Sequence, residues 1–200
     1  QSRKSVYNMS GTYPASPLFA SVGFKSQHYN LSSESVSGRT QVRNIGGQRF
    51  EFSAKYSKLS RAEFAPVMAF VMAQRGMAET FSVVLPEISA KTGTASGTAR
   101  ANGAAVLGAT SVNVDGFTGV LKAGDMVKFS NHTKVYMITA DRSGSGALAI
   151  QPALRVALTN DLVMTYNNVP FTVRLNNDVQ AYSLASASLL DYEVDFIEAV

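Results

Sequence analysis

Residues able to carry out chemistry are few and scattered. His28 and His132 are the only histidines, far apart in the chain, and there is no cysteine. Disulfides, thiolate metal sites and cysteine nucleophiles are thereby excluded. A Ser-His-Asp triad needs a base that is oriented by a carboxylate and touches the nucleophile, and no G-x-S-x-G segment supports one. Structural zinc takes about four His, Cys or carboxylate ligands, more than two distant imidazoles supply. His132 lies in the turn Ser130-Asn-His-Thr133 and reads as a hydrogen-bonding structural residue. Asp191, Glu193 and Asp195 alternate along one strand, so their carboxylates share a face. Calcium takes roughly six to eight oxygens, but no Asp-x-Asp-x-Asp-Gly loop is present. The three acids read instead as a solvated or partner-facing edge strand, whose charges block uncontrolled pairing. Lys91-Thr-Gly-Thr-Ala-Ser-Gly97 lacks the phosphate-cradling order G-x-x-x-x-G-K-[S/T]. The expectation is therefore no catalytic residue, no cofactor and no metal: the chain reads as a non-enzyme.

The elements that position these residues are mostly strands. Leu18–Phe24 reads as one, and Thr40–Ile45 and Gln48–Tyr56 read as the arms of a hairpin turning at Gly46-Gly47. In the second arm Phe50, Phe52, Ala54 and Tyr56 alternate with Arg49, Glu51, Ser53 and Lys55, which puts aromatics on one face and mostly charges on the other. Ser60-Arg-Ala-Glu63 is a capping box. It opens a helix over about 60–75, with Phe64, Val67, Met68, Val71 and Met72 as its apolar stripe and Gly76 just past its end. Pro66 removes a hydrogen bond within that helix. Glu79–Leu85 reads as a buried strand closed by Pro86.

Beyond it, Lys91–Gly108 is rich in Gly, Ala, Ser and Thr and reads as an extended connector. Five short strands follow at close spacing: Ser111–Val114, Met126–Phe129, Lys134–Ala140, Leu148–Ile150 and Leu162–Tyr166. Gly144-Ser-Gly146 turns between two of them, and Pro152–Ala157 reads as a single helical turn. Such spacing suggests a small closed or half-closed barrel. Phe171–Leu175 and Tyr192–Ile197 are longer strands. The expected fold is mainly β: a β-barrel or sandwich core domain with one α-helix, plus an inserted small OB- or SH3-like β-barrel. The core domain takes 1–90 and 169–200, the connector 91–108 and the inserted barrel 109–166.

Apolar residues make up 46% of the chain and charged ones only 16%, against about a quarter charged in soluble domains. A surface so poor in charge suits one covered by neighbouring subunits. Residues 1–100 carry 12 Lys/Arg against 5 Asp/Glu, and residues 101–200 carry 6 against 9. The bases are spread singly, and the plain reading is a solvated surface. The other is head-to-tail contact of a basic with an acidic face, with Arg39, Arg43, Arg49, Asp191, Glu193 and Asp195 as candidate subunit contacts. Nucleic acid is a weaker fit. The barrel's Lys122, Lys128, Lys134 and Arg142 are diluted by Asp115, Asp125 and Asp141, and no stripe of bases forms. No apolar run approaches the roughly 18–20 residues that cross a bilayer as a helix, and Gln1-Ser-Arg-Lys-Ser lacks the apolar stretch of a signal peptide. Because the chain opens on Gln1, a short leading piece is expected to have been removed or left out of the numbering.

The order of segments resembles a phage tail family. Those that carry the likeness are Ser37-Gly-Arg39, Arg49-Phe-Glu-Phe-Ser53, Lys58-Leu-Ser-Arg-Ala-Glu63, Ala69-Phe-Val-Met-Ala-Gln-Arg-Gly76 and Phe81-Ser-Val-Val-Leu-Pro86. In the second half they are Leu121-Lys-Ala-Gly-Asp-Met-Val-Lys-Phe129, Lys134-Val-Tyr-Met-Ile-Thr139 and Tyr192-Glu-Val-Asp-Phe-Ile-Glu198. They are similar to the distal tail or baseplate proteins of tailed bacteriophages. The resemblance implies a homo-oligomeric ring, expected to be a hexamer, at the virion's tail tip and assembled in the host cytoplasm. Its partners would be itself, the tail tube protein above and the baseplate hub or receptor-binding proteins below, with no membrane. It supplies no catalytic residues. Alternatives are another virion subunit (tail terminator, connector or tube protein) or a nucleic-acid-binding barrel protein.

Overall fold

Alternating aromatics build the larger of two sheets. In the computed structural model, which describes residues 9–184 and 189–200, Phe50, Phe52, Ala54 and Tyr56 lie on β3 (Thr40–Ser60) and are all buried. Their face meets Tyr192, Val194 and Phe196 of β15 (Leu189–Glu198), register-paired Tyr56↔Tyr192 and Phe52↔Phe196. The sheet is completed by β1 (Met9–Thr12), β2 (Ser21–Glu34), β4 (Thr80–Val83), β13 (Phe171–Leu175) and β14 (Tyr182–Leu184). Its order is β1-β4-β13-β15-β3-β2, with β14 also pairing β15. The core on its inner face is strongly aromatic: Tyr13, Phe70, Phe81 and Phe196 meet edge-to-face or stacked, with centroids 5.3–5.9 Å apart.

Helix α1 (Arg61–Ala73) closes that face. Ser60 is its N-cap and the reciprocal capping box with Glu63 is formed. Phe64, Val67 and Val71 are buried, each contributing about 1.5–3 kcal/mol of burial at most. Met68 is only half-buried and Met72 is exposed, so the stripe reaches the core with three of its five residues. Pro66 sits inside the helix without ending it.

A second core lies within residues 95–166. Its strands are β5 (Ser96–Ala101), β6 (Ser111–Thr118), β7 (Val120–Leu121), β8 (Met126–Phe129), β9 (Val135–Ile138), β10 (Arg142–Ser143), β11 (Gly146–Gln151) and β12 (Met164–Thr165). Six of them run in the order β12-β8-β9-β11-β6-β5, and β7 pairs β10. A bridge between Arg100 and Val163 brings β5 back to the segment entering β12 and closes the barrel. The molecule is thus mainly β, with one α-helix among the described residues.

Four local expectations are overturned. Gly46-Gly47 is not the hairpin turn, because β3 runs straight through it and the turn lies at Ser35–Arg39, where Gly38 has φ +75°. His28 pairs Gln48 while Asn30 pairs Asn44, so β3 carries two extra residues at this point. The glycines, at φ +80° and +86°, absorb them as a bulge. The acidic strand is not an edge, since β15 has β3 on one side and β13 and β14 on the other. The Gly/Ala/Ser/Thr-rich stretch is not a free extended arm. It contains β5, and Ala95, Ala99 and Ala101 are buried in the barrel, because small side chains let strands approach closely. An added Cβ at Gly116 would lie 2.4 Å from the Thr98 carbonyl oxygen. Pro152–Ala157 forms no helical turn.

Candidate functional site: a two-stranded arm and its anchorage

Past Phe24 and before Gln48, β2 and β3 leave the core together. Every residue from 25 to 47 is exposed. Some nine residues per strand at about 3.3 Å each make an arm roughly 30 Å long. It presents Tyr29, Leu31, Val36, Val42 and Ile45 to solvent, at 41%, 61%, 111%, 66% and 58% exposure. A lone two-stranded hairpin is marginal in water, and single-chain burial does not account for these apolar side chains. Arg39 stands at the tip turn and Arg43 along the arm, while Arg49 is half-buried at its base.

Asp191, Glu193 and Asp195 occupy the outer face of β15, opposite the aromatic core. Lys55 pairs with Glu193 at 3.2 Å and Ser53 donates to it at 2.7 Å; these contacts hold the carboxylate below its usual range, the Ser53 hydrogen bond most. Asp191 accepts from the Lys58 backbone N–H at 3.1 Å. Among the described residues of one chain, none of the three arginines forms an ion pair with any of the three acids.

The arm is anchored by a contact that the sequence did not reveal. Lys134, 2% exposed, and Glu198, fully buried, form an ion pair where the barrel meets the large sheet. Lys134 Nζ also donates to Gln48 Oε1 at 2.6 Å and lies 4.5 Å from the Phe50 ring centroid. Glu198 accepts from the backbone N–H groups of Phe50 at 3.2 Å and Val135 at 3.1 Å. Burial lowers the Lys134 pKa, and Glu198 opposes that shift. The only sequence signal was an acid and a base within otherwise apolar strands. A second missed residue is Asp125, 1% exposed, which takes hydrogen bonds from the backbone and hydroxyl of Thr92, both at 2.7 Å.

His132 is engaged at both ring nitrogens, by Asn131 Oδ1 at 2.6 Å and Tyr136 Oη at 2.7 Å. Burial, with help from the Lys128 charge, lowers its pKa, which fits a neutral packing residue. Among the described residues no group of three or more His, Cys, Asp and Glu side chains is arranged to hold a metal ion. No helix among them is long and apolar enough to cross a membrane.

Residues 89–169, which contain the whole barrel core, match the family model described as the B domain of distal tail protein pb9. The distal tail protein pb9 of Escherichia phage T5 is 25% identical over 174 residues, covering 80% of this chain and 83% of that protein. The comparisons support a phage distal tail family. Such a family supports a structural role in the tail, a location in the virion tail and contacts with other tail components. A structural tail family also suggests a non-enzyme.

Proposed function

We propose that the chain is the subunit of an oligomeric ring, six copies to a turn, at the distal end of a phage tail. The ring joins the tube protein above to the baseplate hub or receptor-binding proteins below, assembles in the host cytoplasm, and performs no catalysis. Residues 1–90 and 169–200 form the ring, and the barrel, which begins at 95 rather than at 109 and runs to 166, decorates it. One observation carries the reading: the arm of residues 25–47, exposed on both faces and bearing apolar side chains, is built to be covered by a neighbour. In the ring it lies on the next copy, with Arg39, Arg43 and Arg49 directed to that copy's Asp191, Glu193 and Asp195. Heterologous contacts of this kind close into rings when the rotation closes.

Native mass spectrometry and light scattering on the purified chain test this. A closed oligomer is expected, and the double variant Leu31→Glu/Val42→Glu should run as a monomer that keeps the wild-type circular dichroism spectrum. A wild-type chain that stays monomeric at every concentration would remove the ring reading.

A further inference from the structure

At the root of the arm, the Gly46-Gly47 bulge faces the barrel loop 151–155 across a cleft of about 420 Å³. His28, Asn44 and Gln48 line one side; Pro152, Ala153 and Arg155 line the other. The charge here is unbalanced. Arg49 and Arg155 both act on the neighbouring Lys134 as like charges. The nearby carboxylate, Glu198, is consumed by Lys134 and by two backbone N–H groups. Among the described residues the Arg155 side chain has neither an ion pair nor a hydrogen bond, and His28 has only the Ser26 hydroxyl, at 3.3 Å.

We propose that this cleft is a docking site for a carboxylate-bearing segment of a partner polypeptide, held by the Arg155 guanidinium with His28 opposite. A planar guanidinium grips a carboxylate through two parallel hydrogen bonds, and Pro152 and Ala153 supply an apolar bed for the side-chain stem. Phosphate fits less well. Phosphate cradles converge several free backbone N–H groups, and the Gly46 N–H is already taken by Asn44 Oδ1 at 2.6 Å. The choice of a polypeptide ligand rests on the assembly role proposed above; the excess of positive charge does not.

Calorimetric titration of the full chain with a hexaglutamate peptide tests the site, with hexaglutamine and inorganic phosphate as comparators. Saturable binding of hexaglutamate alone is expected. Arg155→Gln should weaken it by about tenfold or more, as loss of a charge-assisted bidentate pair would, and His28→Gln should weaken it less. Arg61→Gln, the same charge loss on α1, should leave it unchanged. No saturable binding, equal loss in Arg61→Gln, or phosphate displacing the peptide at matching concentration would each overturn the assignment. Sizing the same variants separates the two proposals. Arg155→Gln that forms rings but loses the peptide supports the site and leaves the ring intact. Peptide binding by a chain that never oligomerises removes only the ring.

Discussion

The ion pair of Lys134 and Glu198 shows how far a single residue's role depends on its surroundings. Two charges withdrawn from water contribute little net stability, but removing one strands the other in the interior. Lys134→Met should therefore cost about 3–5 kcal/mol in denaturant unfolding. Lys134→Met/Glu198→Leu should recover only part of that loss: no charge is stranded, but the buried Phe50 and Val135 N–H groups lose Glu198 as their acceptor. The exposed carboxylates behave differently. Glu63, held low by the Ser60 hydroxyl and backbone, Asp141, held low by Lys122 and the Ala123 N–H, and Glu193, held low by Ser53 and Lys55, all have pKa values lowered in the folded chain. Each thus contributes stability that is complete above the ordinary carboxylate range and is lost as pH falls through the lowered folded value. The melting temperature should hold from neutral pH to the ordinary range and fall below it, and Asp141→Asn/Glu193→Gln should flatten that fall. A fall as steep in the variant as in the wild type would assign the acid sensitivity to other groups.

At the scale of elements, α1 and the arm differ in how they are held. The helix start is local: the Ser60–Glu63 box is complete, so Ser60→Ala should cost about 1 kcal/mol, read as a small loss of melting temperature without change in assembly. That start, the strand at Phe50–Tyr56 and the strands at Met126–Phe129 and Phe171–Leu175 were legible in the sequence, because period and capping are properties of neighbouring residues. The bulge was not. Gly46-Gly47 has the chemistry of a tight turn, and only the pairing of β2 with both halves of β3 shows that the chain continues straight on. The alanine-rich stretch misled for a related reason. Its residues are too small to signal a core, yet close strand packing needs that smallness. Asp191, Glu193 and Asp195 were legible as a charged face. Their place in the middle of a sheet depends on β13 and β14, which pair from outside any local window. The Lys134–Glu198 pair, separated by 64 positions, left no pattern at all.

For the whole molecule, two hydrophobic cores meet at Met126 and Val135, which belong to the barrel strands but pack with the large sheet. The joint carries the buried ion pair as well, so the barrel and the root of the arm are fixed to each other. If the arm's arginines meet the next copy's acids, Asp191→Lys/Glu193→Lys/Asp195→Lys should block assembly while the monomer stays folded. It gives up the exposed Lys55–Glu193 ion pair, worth about 0–1 kcal/mol, and the surface hydrogen bonds of Lys58 to Asp191 and Ser53 to Glu193. Light scattering together with circular dichroism reads both outcomes, and normal assembly of the triple variant would remove this contact from the ring.

The two-residue excess at Gly46-Gly47 has an arithmetic consequence. Between the His28↔Gln48 and Asn30↔Asn44 pairs, β2 advances two positions and β3 four. Both counts are even, so side chains beyond the bulge stay in phase with those before it. Deleting both glycines would equalise the counts and leave every cross-strand partner and the tip turn in place. Deleting one would set three positions against two, so that base register and tip turn could be kept together only around a one-residue bulge. Bulges bend and twist the strand that carries them. The paired deletion is therefore silent in register but re-aims the arm, separating where the arm points from whether it folds.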